Sequence, residues 1–368
     1  MSQAPPTSVF FAYRDSPQRR AALSAEPGDP ERYCLFGLDE VQARGVRVRH
    51  NLEPVGEPPS WSRLAGLAVN EALHATGGYG GDFASVLRCL PDVNAAEVVF
   101  STVDTVGIPL VLLERALLVR SRLVYAAIGL PERLQQLSGR MRRLYVGAFR
   151  CAEHVVAYAR SEADWLRDWL GPGAPTVTFV PFGVDVDAFR PEPGRVADVD
   201  VVSIGADPRR DFGLLAAIAE RRGELSVRIV TTAAQAAALG TVPPNVAVET
   251  DIPLADVRDR LAAARVVALP VRDNSYSGAT TVLLQAMAMA KPVVVSRTEA
   301  IAEGYELEDG VNCRLVPPAD EAAFESALRD LLADPDGARS IGVRARETVE
   351  RGFSWERYTD ALWRLLAG

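Results

Sequence analysis

The chain has 368 residues, 48% of them hydrophobic and 24% charged, and its 40 basic and 48 acidic side chains leave a net charge of -8. Single hydrophobic cores stop growing near roughly 250–300 residues, so this length predicts two domains. The acidic balance excludes bulk nucleic-acid binding, which draws its affinity from Lys and Arg on phosphates, and the composition excludes disorder, collagen and a disulfide scaffold.

The opening MSQAPPTSVFFAYRD has no basic leader ahead of an apolar segment, which argues against a secretory signal and for a cytoplasmic protein. No apolar run reaches the ~18 residues of a membrane span. SVFFAYR reads as a first strand, followed by EVVFST, a helix over 109–118, the strand LVYAAIG, a long helix over 131–149 and the strand EHVVAYA. SEADWLRDWLG reads as a helix with Ser161 as its N-cap and a stop at Gly171-Pro172, and PTVTFVPFG closes the half. The Gly-rich stretch TGGYGGDF reads as a mobile lid or a plain flexible turn, since it follows no clear strand. Residues 139–150 carry a basic face, either solvated or in weak contact with an anionic membrane surface.

DVDAFRPEPGRVADVD, rich in Pro and Asp, reads as a linker. Its Asp185-Val-Asp187 spells a metal-chelating pattern but falls in a turn, and no metal site is assigned to it. The second half restarts with VDVVSIG and continues through VRIVTT, NVAVET, RVVALPV and KPVVVSR, with helices between them. Strands apolar throughout belong to parallel sheets covered on both faces. The expectation is α/β: two doubly wound, Rossmann-like domains with an interdomain cleft, ligands lying outside the carboxyl ends of the strands. Cys34, Cys89, Cys151 and Cys313 are scattered without a CxxC pair and read as buried free thiols. Lys291, the single lysine in an Arg-rich chain, reads as a solvated turn residue.

Chemistry concentrates in two segments of the second half. SIGADPRRDF leaves a strand at Gly205 and presents Arg209 and Arg210 just before a helix; free N–H groups and guanidinium forks both suit pyrophosphate. In NSYSGATTVLLQAMAMA a hydroxyl-rich loop opens a helix, Gly278 allows close backbone approach, and Gln285 lies on the face of Ser277 and Thr281.

These segments, with VPFGVDVDAFRP, DGVNCRLVPPADEAAFESALRDLLADP and RARETVERGFSWERY, resemble the retaining GT-B glycosyltransferases of family 4 over roughly 155–366. The resemblance implies a nucleotide-sugar cleft and a metal-independent hexosyl transfer, with no cofactor beyond the nucleotide sugar. Arg210 falls where the family carries a phosphate-binding Lys, with Arg209 beside it. Ser277 and Gln285 fall on the two carboxylates of the family's Glu-x7-Glu motif, so both Glu are replaced. Gln285 is then expected on ribose hydroxyls, Ser277 on the donor sugar, and the amides of Gly278, Ala279, Thr280 and Thr281 on phosphate and sugar. Thr250, Asp251 and Ile252 are expected at the nucleobase. With no carboxylate nucleophile at 277, a same-face route is expected, the leaving diphosphate deprotonating the acceptor while Arg210 and a helix N-terminus hold the charge. A histidine common in the family after a strand like LVYAAIG has no counterpart at Ala127, Ile128 or Gly129.

The resulting expectation is a hexosyltransferase with an acceptor domain over 1–182, a donor domain over 183–352 and a helix over 353–368 packing back on the first domain. The acceptor is a small molecule or glycan, and the state a monomer or homodimer. Two other readings stay open: a nucleotide-sugar epimerase of the same fold, and a non-catalytic or partner-dependent relative.

Overall fold

Buried runs of Val, Ile and Phe pair into two parallel sheets, in a computed structural model that describes residues 5–53, 59–276 and 278–368. By contacts the chain divides into two units, Met1–Val180 with Thr359–Gly368, and Pro181–Tyr358.

The first unit holds β1 (Ser8–Ala12), β2 (Arg47–His50), β3 (Val98–Ser101), β4 (Arg122–Ala127), β5 (His154–Ala157) and β6 (Thr176–Phe179) in the order β2-β1-β3-β4-β5-β6, every pair parallel. Sequence reading passes over β2: its RVRH exposes Arg47 and Arg49 in alternation, as suits a charged edge strand.

Three helix boundaries differ from expectation. The helix expected over 109–118 spans Asp104–Arg115, with Pro109 inside it. Pro109 has no N–H to offer the carbonyl of Thr105, and that carbonyl accepts the amide of Asp82 instead, at 2.7 Å. Gly81 makes the approach feasible, since a Cβ there would stand 2.8 Å from Pro109 Cδ. Asn70 brackets Gly81, its Oδ1 accepting the amide at 3.1 Å and its Nδ2 donating to the carbonyl at 2.9 Å. Tyr145 Oη accepts the amide of Tyr79 at 2.9 Å. The Gly-rich stretch is therefore held to its neighbours by hydrogen bonds with Asn70, Tyr145 and Thr105.

The long helix over 131–149 is broken into Leu130–Leu134 and Gly139–Phe149, because Ser138 caps the second by accepting Met141 N. The helix Arg160–Leu170 starts one residue before Ser161, with Ala159 at the cap position; the Ser161 hydroxyl is buried and unpartnered among the described residues.

The second unit holds β7 (Val199–Ile204), β8 (Val227–Thr231), β9 (Val246–Thr250), β10 (Ala264–Leu269), β11 (Val293–Ser296) and β12 (Arg314–Val316) in the order β12-β11-β10-β7-β8-β9, again all parallel. Its core joins Phe212, Leu215 and Ile218 of the helix Phe212–Arg221 to Val201, Ile229 and Val266 of the strands. Each such side chain contributes about 1.5–3 kcal/mol through burial.

Two further expectations are corrected. Lys291 is not solvated: its Nζ donates to the carbonyls of Ala262 at 2.5 Å and Ala264 at 2.9 Å, at the C-terminus of the helix Leu254–Ala262, and burial lowers its pKa. A compact cation suits the negative end of a helix. Of the four free thiols, Cys34, Cys89 and Cys313 are buried but Cys151 is exposed. No helix among the described residues is long and apolar enough to cross a membrane.

Candidate functional site

In an open parallel sheet, ligands lie outside the carboxyl ends of the strands where the winding reverses. In the second unit that place is between β7 and β10. The loops leaving these two strands are stitched together there. Asp211 N donates to Pro270 O at 2.9 Å and Arg272 N to Arg209 O at 2.8 Å, on either side of a bridge between Arg210 and Val271. Asp211 then caps the helix Phe212–Arg221 by accepting Leu214 N at 3.4 Å.

Arg210 folds back over the end of β7 and is only 4% exposed. Gly205 permits this, since a Cβ there would lie 2.9 Å from Arg210 Nε. The guanidinium donates from Nη2 to Ser203 Oγ at 3.1 Å and sits 5.5 Å from the Phe212 ring centre. Its Nε and Nη1 are buried and unpartnered among the described residues. Burial draws its pKa down to about 10, against the pull of Asp207, a penalty of about 3 kcal/mol that still leaves the group charged at neutral pH. Two unanswered donors on a buried cation call for an anion, whose charge-assisted hydrogen bonds would offset that penalty.

The loop after β10 opens the helix Thr280–Ala288. Ala279 occupies the N-cap position in the left-handed region at φ 69° and gives no side-chain cap, so the first-turn amides of this helix have no capping side chain. The conformational exception thus falls on Ala279 rather than on Gly278. Gly278 instead clears space: a Cβ there would stand 3.3 Å from the Tyr276 ring and 3.5 Å from the Asp207 carboxylate. Thr280 is buried with an unpartnered hydroxyl, Ser275 likewise holds a buried unpartnered hydroxyl, and Gln285 is buried further along the helix. Thr281 is half-buried in its first turn. Ser277 lies outside the described residues.

Arg209, Arg210, Gly278, Ala279, Thr280 and Thr281 thus belong to the two stitched loops and the helix start they serve, while Thr250, Asp251 and Ile252 stand apart. These lie at the end of β9 and just after it, two strands from β7, roughly 10 Å away at the usual strand spacing. Asp251 takes φ 53°, donates its amide to Thr231 O at 3.0 Å and accepts Ala233 N at 3.2 Å, at the start of the helix Ala233–Leu239. Gln235 of that helix donates to Asp207 O at 2.6 Å, which joins the β8–β9 side to the β7 loop. Neither Gln235 nor Tyr276, whose hydroxyl donates to Asp207 Oδ1 at 2.9 Å, is singled out by sequence. An aromatic in a hydroxyl-rich loop was a usable signal for Tyr276; Gln235 offers none.

Sequence reading also passes over two carboxylates in the first unit. Asp104 and Glu162 flank the carboxyl end of β4. Asp104 Oδ1 accepts the Tyr125 hydroxyl at 2.7 Å and Glu162 Oε1 accepts Leu130 N at 3.1 Å, while the second oxygen of each is buried and unpartnered among the described residues. Burial pushes Asp104 up to about 7; burial and then the neighbouring Asp104 push Glu162 well above the carboxylate range. Asp185, by contrast, is engaged in its own turn, its Oδ1 accepting Asp187 N and Ala188 N, both at 2.9 Å. Among the described residues no group of three or more His, Cys, Asp or Glu is arranged to hold a metal ion.

Comparison with known proteins bears on the fold and the family of the second unit. Residues 213–334 match the family described as Glycosyl transferases group 1. The chain is 28% identical over 366 residues to a D-inositol 3-phosphate glycosyltransferase of Kineococcus radiotolerans, covering 87% of this chain and 80% of that protein. It is 32% identical over 215 residues to an MMP alpha-(1->4)-mannosyltransferase of Mycolicibacterium hassiacum, covering 55% of this chain and 51% of the other. Among solved structures, sucrose-phosphate synthase from Thermosynechococcus elongatus superposes with a TM-score of 0.72 at 17% identity, covering 97% of each chain. Anabaena HepE, solved with UDP-glucose, gives 0.69 at 15% identity over 96% of this chain and 98% of that one. The fold is therefore GT-B: two Rossmann-like α/β units.

Proposed function

We propose that the chain is a hexosyltransferase that moves a sugar from a nucleoside diphosphate to a hydroxyl acceptor, with retention at the anomeric carbon and no bound metal. One observation carries the reading: at the β7–β10 reversal a buried guanidinium with two unpartnered donors, Arg210, lies on the loop stitched to the one that opens an uncapped helix N-terminus. The named activities of the similar curated proteins and the UDP-glucose bound to HepE support it.

In this reading Arg210 and the amides of Gly278–Thr281 hold the diphosphate, and Arg209 supplies a second guanidinium. The base lies over Thr250–Ile252, Gln285 meets ribose hydroxyls and Ser277 touches the donor sugar. As the glycosidic bond to phosphate breaks, negative charge grows on the diphosphate, where Arg210 and the helix N-terminus stabilise it. A diphosphate oxygen takes the proton of the acceptor hydroxyl as that oxygen attacks from the same face, so no enzyme carboxylate is needed as nucleophile.

A calorimetric screen of nucleoside diphosphates and their hexoses, followed by donor turnover, tests the proposal. Binding of one such pair, with slow release of free sugar that disappears in Arg210→Ala, is expected. Tight binding with no turnover on any acceptor would sink it in favour of a non-catalytic protein.

A further inference from the structure

A carboxylate stands in the middle of this anion site. Asp207 lies on the β7 loop between Gly205 and Arg210 and is half-buried. It caps neither adjoining helix: Asp211 does that for Phe212–Arg221, and Thr280–Ala288 has no side-chain cap. Its Oδ1 is engaged twice, accepting Arg209 N at 2.7 Å and the Tyr276 hydroxyl at 2.9 Å. Those two bonds fix the plane of the carboxylate against the loop after β10. Its Oδ2 is turned toward Gly278, where a side-chain Cβ would come within 3.5 Å. A Cβ at residue 278 would lie against the carboxylate in ordinary van der Waals contact, and glycine keeps that space open.

The electrostatics make the position informative. A carboxylate beside a diphosphate repels it, so Asp207 weakens the binding of a bare nucleoside diphosphate. The sugar of a nucleotide sugar is bonded directly to the distal phosphate, so a group flanking the phosphate site also flanks the sugar. A carboxylate oxygen accepts strongly from sugar hydroxyls, a contact worth about ten- to a hundred-fold in affinity.

We infer that Asp207 is a specificity-determining residue for the donor, its Oδ2 accepting a hydrogen bond from a hydroxyl of the hexosyl group. It supplies from the β7 loop the carboxylate that the β10 loop lacks where the sequence places Ser277. The inference rests on the hexosyl-transfer reading and adds to it a discrimination between substrate and product. The intact donor gains a hydrogen bond that offsets the repulsion; the nucleoside diphosphate left after transfer keeps only the repulsion and is released.

The test compares dissociation constants for uridine and guanosine diphosphates with those for their glucose and mannose esters, in the full chain. Asp207→Asn retains an acceptor for Arg209 N and the Tyr276 hydroxyl but removes the charge. It is expected to bind the bare diphosphate as well as or up to ~10-fold tighter than the parent, and the sugar ester at least ~10-fold more weakly. Adding Ser277→Glu to Asp207→Asn is expected to restore part of the preference for the ester. Equal changes in both constants would show that Asp207 only holds the loops, and would overturn the inference. Asp207→Glu guards against a misfolded Asn variant: a longer carboxylate must shift the ratio of glucose to mannose donor binding, and an unshifted ratio also overturns it. If the parent binds no nucleoside diphosphate at all, the hexosyl-transfer reading fails first, a result distinct from either.

Discussion

Arg210 illustrates a residue whose place in the fold opposes stability. A cation buried with two unpartnered donors is destabilising, and an apolar side chain of similar length removes that penalty. Arg210→Met is expected to leave the unliganded unfolding temperature unchanged or raised, to lose all stabilisation by nucleoside diphosphates, and to slow hexosyl transfer by about 100- to 1000-fold; differential scanning fluorimetry and donor turnover read the two effects separately. Ala279 is strained in the same neighbourhood, since a left-handed residue with a Cβ costs roughly 1–2 kcal/mol. Ala279→Gly is expected to be neutral or slightly stabilising and Ala279→Val destabilising by more than about 1 kcal/mol, as measured by urea unfolding. Asp104 sets a pH dependence. Its folded pKa of about 7 lies above the unfolded carboxylate value, so the folded state binds the extra proton and stability falls as pH rises from about 4 through 7. Asp104→Asn keeps an acceptor for Tyr125 and is expected to flatten that slope in unfolding measurements across the window. At this scale Arg210 was legible in advance, because a strand, a short basic loop and a helix follow one another in sequence. Its coupling to Tyr276 through Asp207 was not, since the two partners are 69 residues apart and no local pattern marks the meeting of two loops.

Among elements, the inner strands were readable because both faces are buried and the runs are apolar throughout; β2 was missed because an edge strand with exposed arginines carries no such run, and β12 because three residues, two of them half-buried, are too short a run. Helix limits failed where a local hydrogen bond outweighed periodicity, at Ser138 in a stretch whose pattern continues on either side. Pro109 shows the opposite case, a helix breaker retained within a helix. Its missing donor releases a carbonyl that anchors another segment. Pro109→Ala raises helix propensity by about 3 kcal/mol on an isolated helix, yet it restores an amide that competes with Asp82 for Thr105 O. Hydrogen exchange at Asp82 and its loop neighbours is expected to speed up about five- to tenfold, corresponding to the loss of one hydrogen bond of about 1 kcal/mol. Unchanged exchange would show that the Asn70 and Tyr145 contacts suffice to hold the loop.

At the scale of the whole molecule, the two sheets wind differently: the first reverses between β1 and β3, the second between β7 and β10. The second matches the dinucleotide-binding order, and the nucleotide is proposed there. The last helix, Trp355–Ala367, ends among residues that count with the first unit. There Asp360 pairs with Arg44, whose guanidinium lies 5.2 Å from the Trp363 ring centre, and Leu362 and Leu366 are buried. The first unit therefore depends on both ends of the chain for its core. Leu362→Ala is expected to destabilise it by about 2–5 kcal/mol in urea unfolding; a loss under about 1 kcal/mol would show that the helix end contributes little.

The lysine at residue 291 has a use beyond the corner it stabilises. Because every other basic side chain is arginine, isotope-labelled lysine introduces one side-chain ammonium signal into a spectrum of the whole protein. That signal reports from the amino ends of β10 and β11, the end of the second sheet opposite the proposed nucleotide. With the ammonium held by two carbonyls, its exchange with solvent measures how often the end of the helix Leu254–Ala262 opens. The protein thus carries a built-in single-site reporter of local unfolding that requires no mutation.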